Sequence, residues 1–193
     1  NQGGCGSCWA FGTIAPLECN ILIRDHKEVD LSEQWLVSCN RNGWGCAGGW
    51  WAHDYFQWKM DLCNGTGAVL EKDFPYSASD LPCEGPYQRP YLIDSWHYIG
   101  FAQGVAPTDS IKQAIITYGP VSVGCAVTQA FGAYDGGVFN ENDPDAPINH
   151  AVALVGWDDN QGENGVWFLR NSWGPGWGED GYMRIEYGVC KVG

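Results

Sequence analysis

The run Cys5-Gly6-Ser7-Cys8-Trp9 places a cysteine at the point where a helix is expected to begin. Apolar side chains follow Cys8 at close to the helical period, which predicts a helix over residues 8–24. A thiol is a weak nucleophile until it ionises, and the positive end of a helix dipole together with a nearby imidazolium favours the thiolate. Cys8 is therefore a candidate catalytic nucleophile.

His150 and Asn171 are the candidate base and its orienting partner. Two strand-like runs, residues 150–157 and 166–170, flank a polar loop and predict a hairpin. If Trp157 pairs with Val166, His150 and Asn171 lie almost opposite each other at the far end of that hairpin. The Asn171 amide oxygen would then accept from one ring nitrogen and leave the other for Cys8, so we expect a thiolate–imidazolium pair at rest.

The segment from Cys5 to Trp9 matches, at every position, the C-G-[SA]-C-[WY] pattern around papain-type nucleophiles, with His and Asn downstream. Further motifs follow in family order: Cys46-Ala47-Gly48-Gly49, Phe74-Pro75-Tyr76, Gly119-Pro120-Val121-Ser122-Val123 and Trp173–Gly178. The sequence therefore resembles the papain family of cysteine peptidases over nearly its whole length.

This resemblance implies a thiol endopeptidase that hydrolyses polypeptides through an acyl-enzyme formed on Cys8. Gln2 would stabilise the oxyanion together with the Cys8 backbone N–H, and Trp173 would cover the contact between His150 and Asn171. The resemblance implies substrate contacts at Gly48, Gly49, Trp50, Trp51, Gly124, Ile148, Asn149, Ala151 and Trp173. The indoles and the absent side chain at Gly124 predict an apolar residue at the substrate position called P2, one residue upstream of the scissile one. The resemblance implies that the floor of this pocket is built from residues beyond Gly193. Two alternatives stay open: a catalytically quiet binding member of the same fold, and an acyl transferase.

Nine cysteines in 193 residues predict an oxidising compartment, and the odd number leaves at least one thiol outside disulfides. The resemblance implies the bridges Cys5–Cys46 and Cys39–Cys83. The pairing of Cys19, Cys63, Cys125 and Cys190 stays open, with Cys19–Cys63 as one suggestion. The family's third bridge is in doubt because residues 140–149 contain no cysteine. Cys5 and Cys8 lack a second ligand pair for zinc, so we predict neither a metal nor a cofactor.

The formal charge of −13 would repel phosphate backbones and anionic lipid, so nucleic acid and membranes are not expected as partners. We expect a monomer, secreted to the outside or to a lysosome-like compartment. Any signal peptide would lie outside this chain. By resemblance, we also expect a longer precursor with an inhibitory pro-segment. The sequon Asn64-Gly65-Thr66 is a candidate glycosylation site.

The elements that must position these residues change character along the chain. Besides residues 8–24, the pattern predicts a helix capped by Ser32 and a third helix over residues 50–62. The second half predicts strands at 121–125, 150–157, 166–170 and 181–187. Helices first and strands later predict an α+β protein, with a helical lobe at residues 1–98 and a β-rich lobe at 99–193. The resemblance implies the papain-like two-lobed fold, with an antiparallel, barrel-like right lobe and the active-site cleft between the lobes.

Overall fold

The computed structural model describes residues 1–100 and 104–193. The described chain divides into two compact units: a helical unit, Gln2–His97, and a β-rich unit, Tyr98–Gly193 together with Asn1. Each unit surrounds a hydrophobic core of its own. Among the described residues, no helix has the length and apolar character that a membrane span requires.

The first helix of the helical unit, α1, spans Cys8–Asp25 and confirms the predicted helix. Its buried face carries Trp9, Ile14 and Ile21 into the core. Pro16 lies inside α1, and the helix continues past it because the apolar face on both sides stays packed. The helix ends at His26, which adopts the left-handed conformation and donates its backbone N–H to the Leu22 carbonyl.

The second helix, α2, spans Glu33–Cys39 and begins where the Ser32 cap was predicted. The Ser32 hydroxyl accepts a hydrogen bond from the Trp35 N–H at 2.9 Å, which satisfies one of the unpaired donors of the first turn.

The predicted third helix over residues 50–62 is wrong in length, because α3 spans only Asp54–Gln57. The buried Asp61 carboxylate accepts from the backbone N–H groups of Cys63 and Gly65 and from the indole of Trp35. These bonds hold the chain in a turn and compete with helix formation, as aspartate side chains commonly do.

The β-rich unit is built around a five-stranded sheet in the order β1-β3-β4-β5-β2. Its strands are β1 Val121–Cys125, β2 Val138–Phe139, β3 His150–Asp158, β4 Val166–Arg170 and β5 Tyr182–Glu186. Three pairings are antiparallel, as predicted, whereas β2 and β5 are parallel. Two helices accompany the sheet: α4, Thr108–Tyr118, and α5, Gln129–Gly132. The strand pattern had identified four of the five strands but neither helix.

The hairpin of β3 and β4 differs in register from the prediction. Trp157 pairs with Trp167, not with Val166, and an irregularity between Leu154 and Gly156 shifts the ladder by one residue. A Cβ on Gly156 would lie 3.3 Å from the Phe168 ring. Because glycine has no side chain to accommodate, the chain can bulge at this position. The shift restores the expected pairing nearer His150, so the end of the hairpin that carries His150 has the predicted register.

Candidate active site

Cys8 is the first residue of α1 and is partly exposed, so its sulfur stands at the positive end of the helix dipole. Ser7 occupies the cap position, but its hydroxyl makes no cap hydrogen bond. The Ser7 backbone carbonyl instead accepts from the N–H groups of Ala10 and Phe11, at 2.8 and 3.2 Å, and starts the helical ladder. The nucleophile candidate is thus held by backbone on a rigid element.

The segment before Cys8 is tied to the loop that contains Gly48. Cys5 is disulfide-bonded to Cys46, and the Gly6 N–H donates to the Cys46 carbonyl at 2.8 Å. A Cβ on residue 6 would lie 2.6 Å from that carbonyl oxygen, so only glycine allows this approach. The bridge pairs the same cysteines that the resemblance implies.

Gln2 is buried, with 8% of its surface exposed, and its side-chain amide donates to the Cys5 carbonyl at 3.0 Å. The bond fixes the direction in which the amide points, which an oxyanion donor requires.

In the β-rich unit, the structure brings His150 and Asn171 together. His150 is the first residue of β3, and Asn171 directly follows β4. His150 Nε2 lies 2.8 Å from Asn171 Oδ1, so the hydrogen bond leaves Nδ1 as the ring nitrogen for proton transfer. Asn171 Oδ1 also accepts from the Ser172 backbone N–H at 2.8 Å, which fixes the orientation of the amide.

Burial sets the protonation of His150, of which only 8% is exposed. Desolvation lowers the pKa of His150 below its ordinary value, and the hydrogen bond to Asn171 raises the pKa part of the way back. Asn171 Nδ2 is buried and has no hydrogen-bond partner among the described residues. Because burial disfavours the charged ring, the predicted imidazolium needs a negative charge, such as a thiolate, to offset the cost of burial.

Trp173 lies over the imidazole, with ring centroids of His150 and Trp173 separated by 4.9 Å and planes tilted by 34°. The indole is itself held edge-to-face by Phe131 and Trp177, at 5.9 and 5.1 Å. This aromatic group limits the rotation of His150 and shields it from solvent.

Four of the substrate-binding candidates lie in the helical unit. Gly48 has a φ of 125°, which L side chains rarely adopt, and a Cβ on Gly49 would lie 2.6 Å from the Trp9 indole. Trp50 is 61% exposed and its ring centroid lies 6.2 Å from that of Trp51. An indole with that exposure does not fill the core, which argues against a purely structural role for Trp50.

Besides Trp173, four candidates of the β-rich unit lie near the start of β3 or opposite it. Gly124 pairs with Ala151 across β1 and β3, and a Cβ on Gly124 would lie 2.9 Å from Ile148 Cγ2. Ile148 is 50% exposed. The Asn149 side chain exchanges two hydrogen bonds with the backbone of Val127, at 2.8 and 3.2 Å, so its amide anchors this loop.

Cysteine pairing brings one correction. The structure contains the bridge Cys39–Cys83, as the resemblance implies. The suggested bridge Cys19–Cys63 is wrong, since neither cysteine forms a disulfide, and Cys63 Sγ instead lies 3.1 Å from Cys83 Sγ. The three sulfurs of Cys39, Cys63 and Cys83 lie within 4.8 Å of one another, and two of them form the disulfide.

The doubt about a third bridge has a structural counterpart at Cys190. This residue remains a buried thiol, its pKa raised to about 11 mainly by desolvation. Its backbone N–H donates to Asn142 Oδ1 at 3.0 Å, and Lys191 Nζ donates to the Ala146 carbonyl at 2.7 Å. Hydrogen bonds thus attach the 140–149 segment where the family pattern would place a disulfide.

Sequence reasoning did not single out Tyr76, although it belongs to the quoted motif Phe74-Pro75-Tyr76. The Tyr76 hydroxyl donates to the Gln2 backbone carbonyl at 2.8 Å and lies 2.5 Å from Ser7 Oγ. Its position in that motif was the available signal.

A family model described as papain family cysteine protease matches residues 1–193. The chain belongs to the papain family of cysteine proteases. Among papain-family structures, the bromelain protease of Ananas comosus in complex with the E64 inhibitor gives a TM-score of 0.84 at 30% identity, covering 100% of this chain and 87% of that one. The predicted papain-like α+β fold is thereby confirmed.

Papain-family relatives with curated descriptions are longer than this chain. It is 38% identical over 196 residues to cathepsin L 2 of Paramecium tetraurelia, covering all of this chain and 56% of that protein. It is 34% identical over 199 residues to the viral cathepsin of Lymantria dispar multicapsid nuclear polyhedrosis virus, covering 52% of it. The chain thus spans about half the length of these two relatives.

Proposed function

We propose that this chain carries the catalytic machinery of a cysteine endopeptidase, with Cys8 as nucleophile, His150 as acid and base, Asn171 as its orienting partner and Gln2 as oxyanion donor. The observation that carries the proposal is the 2.8 Å bond between His150 Nε2 and Asn171 Oδ1, which leaves Nδ1 for proton transfer. A cysteine at the first position of α1 supports it.

In the proposed mechanism, the Cys8 thiolate attacks the scissile carbonyl carbon, and the carbonyl oxygen takes the negative charge. The amide of Gln2 and the Cys8 backbone N–H stabilise that oxyanion. His150 gives its proton to the leaving amine as the C–N bond breaks, leaving a thioester on Cys8. It then removes a proton from water, which attacks the thioester carbonyl. The C–S bond breaks, the acid is released and the thiolate–imidazolium pair is regenerated.

The two alternatives, a catalytically quiet binding member and an acyl transferase, predict results that differ from those of an endopeptidase. A catalytically quiet binding member would need no nucleophile, yet this chain has Cys8, His150, Asn171 and Gln2 together. Acyl transfer uses the same thioester but delivers the acyl group to an amine. Both alternatives predict little hydrolysis of a peptide amide in water, so that measurement distinguishes them from the endopeptidase.

The test combines titration with the epoxide E64 and cleavage of a dipeptidyl fluorogenic amide. We expect stoichiometric labelling of Cys8 with parallel loss of cleavage, and no cleavage by Cys8→Ser, because a serine hydroxyl stays un-ionised at neutral pH. Cys19→Ser, a thiol-to-hydroxyl change farther along α1, is the matched control and should keep both. Absence of labelling and turnover in the wild type would favour the quiet member.

We also propose an apolar preference at P2, resting on Trp50, Trp51, Gly124, Ile148 and Ala151. The exposure of Trp50 and Ile148 supports this preference, since covering their solvated apolar surface with an apolar substrate side chain lowers the free energy of the complex. The five residues include no carboxylate to pair with a lysine or arginine head. A dipeptide amide library should show Leu, Phe or Val above Arg and Lys; the reverse order would refute this assignment.

Cleavage inside chains is part of the proposal, because the segment between Cys46 and Cys83 shows no insertion with paired histidines that could capture a chain terminus. A protein substrate with both termini blocked should give internal fragments. Stepwise release of dipeptides would contradict this mode.

The proposal also includes polypeptides as substrates and an inhibitory pro-segment in the precursor. It places the protein outside the cell or in a lysosome-like compartment. The two disulfides are consistent with an oxidising compartment. Asn64 is exposed and follows Cys63 in a turn, so its sequon is accessible for glycosylation.

A further inference from the structure

The Tyr76 hydroxyl contacts two residues that precede Cys8 in the chain, Gln2 and Ser7. It donates its single hydrogen to the Gln2 carbonyl, which can only accept, so Ser7 must be the donor in the 2.5 Å contact between Ser7 Oγ and Tyr76. Ser7 is fully buried and makes no cap bond, so this contact accounts for its hydroxyl.

Tyr76 is itself held in place from two directions. Its backbone N–H donates to Glu71 Oε1 at 2.7 Å, and its ring packs edge-to-face on Phe11 of α1, with centroids 5.0 Å apart. Because the backbone and the ring of Tyr76 are both held, its hydroxyl oxygen has a fixed position. The hydrogen bonds of that hydroxyl therefore hold Gln2 and Ser7 in place relative to it.

We propose that Tyr76 is a positioning residue that sets the distance of Gln2 from the start of α1, and hence the placement of the oxyanion donor. This inference rests on the proposed function. Tyr76 acts through Gln2, so its loss should affect steps that form an oxyanion and spare steps that do not.

Tyr76→Phe removes the hydroxyl and keeps the ring on Phe11. We expect kcat for amide cleavage to fall roughly tenfold with KM little changed, since small misplacements of catalytic groups cost up to about 100-fold. Alkylation of Cys8 by iodoacetamide forms no oxyanion, so its rate in Tyr76→Phe should stay within about twofold of the wild-type rate. Gln2→Ala combined with Tyr76→Phe should lose less than the product of the single losses.

Tyr182→Phe, at an exposed tyrosine of the other unit, is the control. An inactive wild type would refute the proposed function, whereas an active wild type with unchanged kcat in Tyr76→Phe would refute only the role of Tyr76. Equal losses of cleavage and alkylation would also overturn it, because they indicate general disruption. If Tyr76→Phe does not fold, Ser7→Ala decides: unchanged cleavage would count against the hydroxyl chain.

A separate observation concerns the sulfur triad, Cys39, Cys63 and Cys83. Cys63 Sγ lies 3.1 Å from Cys83 Sγ of the Cys39–Cys83 bridge. The Leu62 N–H donates to the Cys39 carbonyl at 2.8 Å, which ties the loop of Cys63 to Cys39. A Cβ on Gly85 would lie 2.6 Å from Cys63 Sγ, so a glycine makes room for the thiol.

The loop that carries Cys63 is fixed by a buried carboxylate. Asp61 Oδ1 accepts from the Cys63 N–H at 2.8 Å and from the Gly65 N–H at 3.1 Å. Its other oxygen accepts from Trp35 Nε1 at 2.7 Å and pairs with Arg89. The thiol is therefore held against the disulfide by a set of polar contacts.

We infer that the sulfur triad undergoes internal thiol–disulfide exchange. The Cys63 thiolate attacks Cys83 Sγ, the Cys63–Cys83 bond forms, the Cys39–Cys83 bond breaks, and the electron pair leaves on Cys39, which takes up a proton. No oxidant or reductant is consumed. Cys39 is fully buried, and a buried thiol packs as a small apolar group, so the core can hold the product.

The test maps disulfides in folded wild-type protein held at pH 8.5 without reductant, then quenched with acid and alkylated. We expect peptides linked through Cys63–Cys83 beside those linked through Cys39–Cys83. Cys63→Ser should give only Cys39–Cys83, and Cys39→Ser refolded with oxidised glutathione as the oxidant should form Cys63–Cys83. Wild type containing only Cys39–Cys83 would overturn the exchange, whatever the variants do.

Discussion

At the residue scale, opposing effects act on His150. Burial lowers its pKa and favours the neutral ring, while the hydrogen bond to Asn171 favours the charged form. A neutral amide gives this support without adding a negative charge. The side chain at position 171 should therefore control the pH range over which His150 keeps its proton.

Asn171→Asp tests this control. A carboxylate 2.8 Å from Nε2 should raise the pKa of His150, because an opposite charge stabilises the imidazolium, typically by about one to three units. The alkaline limb of the kcat/KM profile, which reports loss of that proton, should move to higher pH. Asn160→Asp in the exposed β3–β4 loop is the control. An alkaline limb that stays in place would exclude His150 as its origin.

Gly49 gives a second prediction at this scale. An alanine Cβ would lie 2.6 Å from the buried Trp9 indole, so the ring or the loop must shift. Overpacking of this kind costs about 1–3 kcal/mol, which thermal unfolding of Gly49→Ala should register as a lower Tm. Gly4→Ala adds a methyl group with no other atom within 4 Å and should leave Tm nearly unchanged. Equal Tm values for both variants would contradict the close packing.

At the element scale, the sequence predicted those elements whose signal is local. The helix from Cys8 and the cap at Ser32 depend on periodicity and one hydroxyl, and both are confirmed. Strands β3 and β4 were found by their β-branched and aromatic composition, and the proximity of His150 and Asn171 followed from pairing them.

Elements that depend on distant contacts were missed. The third helix stops early because Asp61 is committed to Trp35 and Arg89, both far away in sequence. Helix α4 was overlooked because its isoleucines favour strands, although Ile111 is buried in the core of the β-rich unit. The same limit applies to the Tyr76 hydroxyl and the Cys63 sulfur, whose partners lie at least 20 residues away.

Glu33 at the start of α2 gives a prediction for this element. Desolvation, with smaller contributions from Glu18 and Glu71, raises its pKa from 4.5 to about 8. The folded state thus binds the Glu33 proton more tightly than the unfolded state. The stability contribution is complete below about pH 4.5 and is lost as pH rises through 8, at up to about 1.4 kcal/mol per pH unit.

Glu33→Gln removes this titration with little change in shape. The variant should be more stable than wild type at pH 8, and the difference should shrink toward pH 5. Urea unfolding across this range measures it, with the exposed Glu28→Gln as control. A wild type more stable than Glu33→Gln at pH 8 would show that the carboxylate is instead stabilised in the fold.

At the scale of the whole molecule, 23 acidic residues against 10 basic ones give a charge of −13 at pH 7 and a pI near 4.4. Surface ion pairs such as Lys112–Asp159 and Arg184–Glu179 contribute little to stability, and salt weakens them. The excess of like charge opposes the compact state, and salt weakens this repulsion as well. With more than twice as many acidic as basic groups, repulsion should be the larger effect.

Sodium chloride should therefore raise Tm at pH 7, most steeply below about 0.15 M, where the screening length falls to about 8 Å. Near pH 4.4 the net charge vanishes, repulsion is lost and only the ion pairs respond, so the same salt series should leave Tm flat or lower it. Calorimetric scans of the Cys8→Ser variant avoid self-digestion during heating. A fall in Tm with salt at pH 7 would mean that attractive pairs dominate, and the charge balance would then be contributing to stability rather than opposing it.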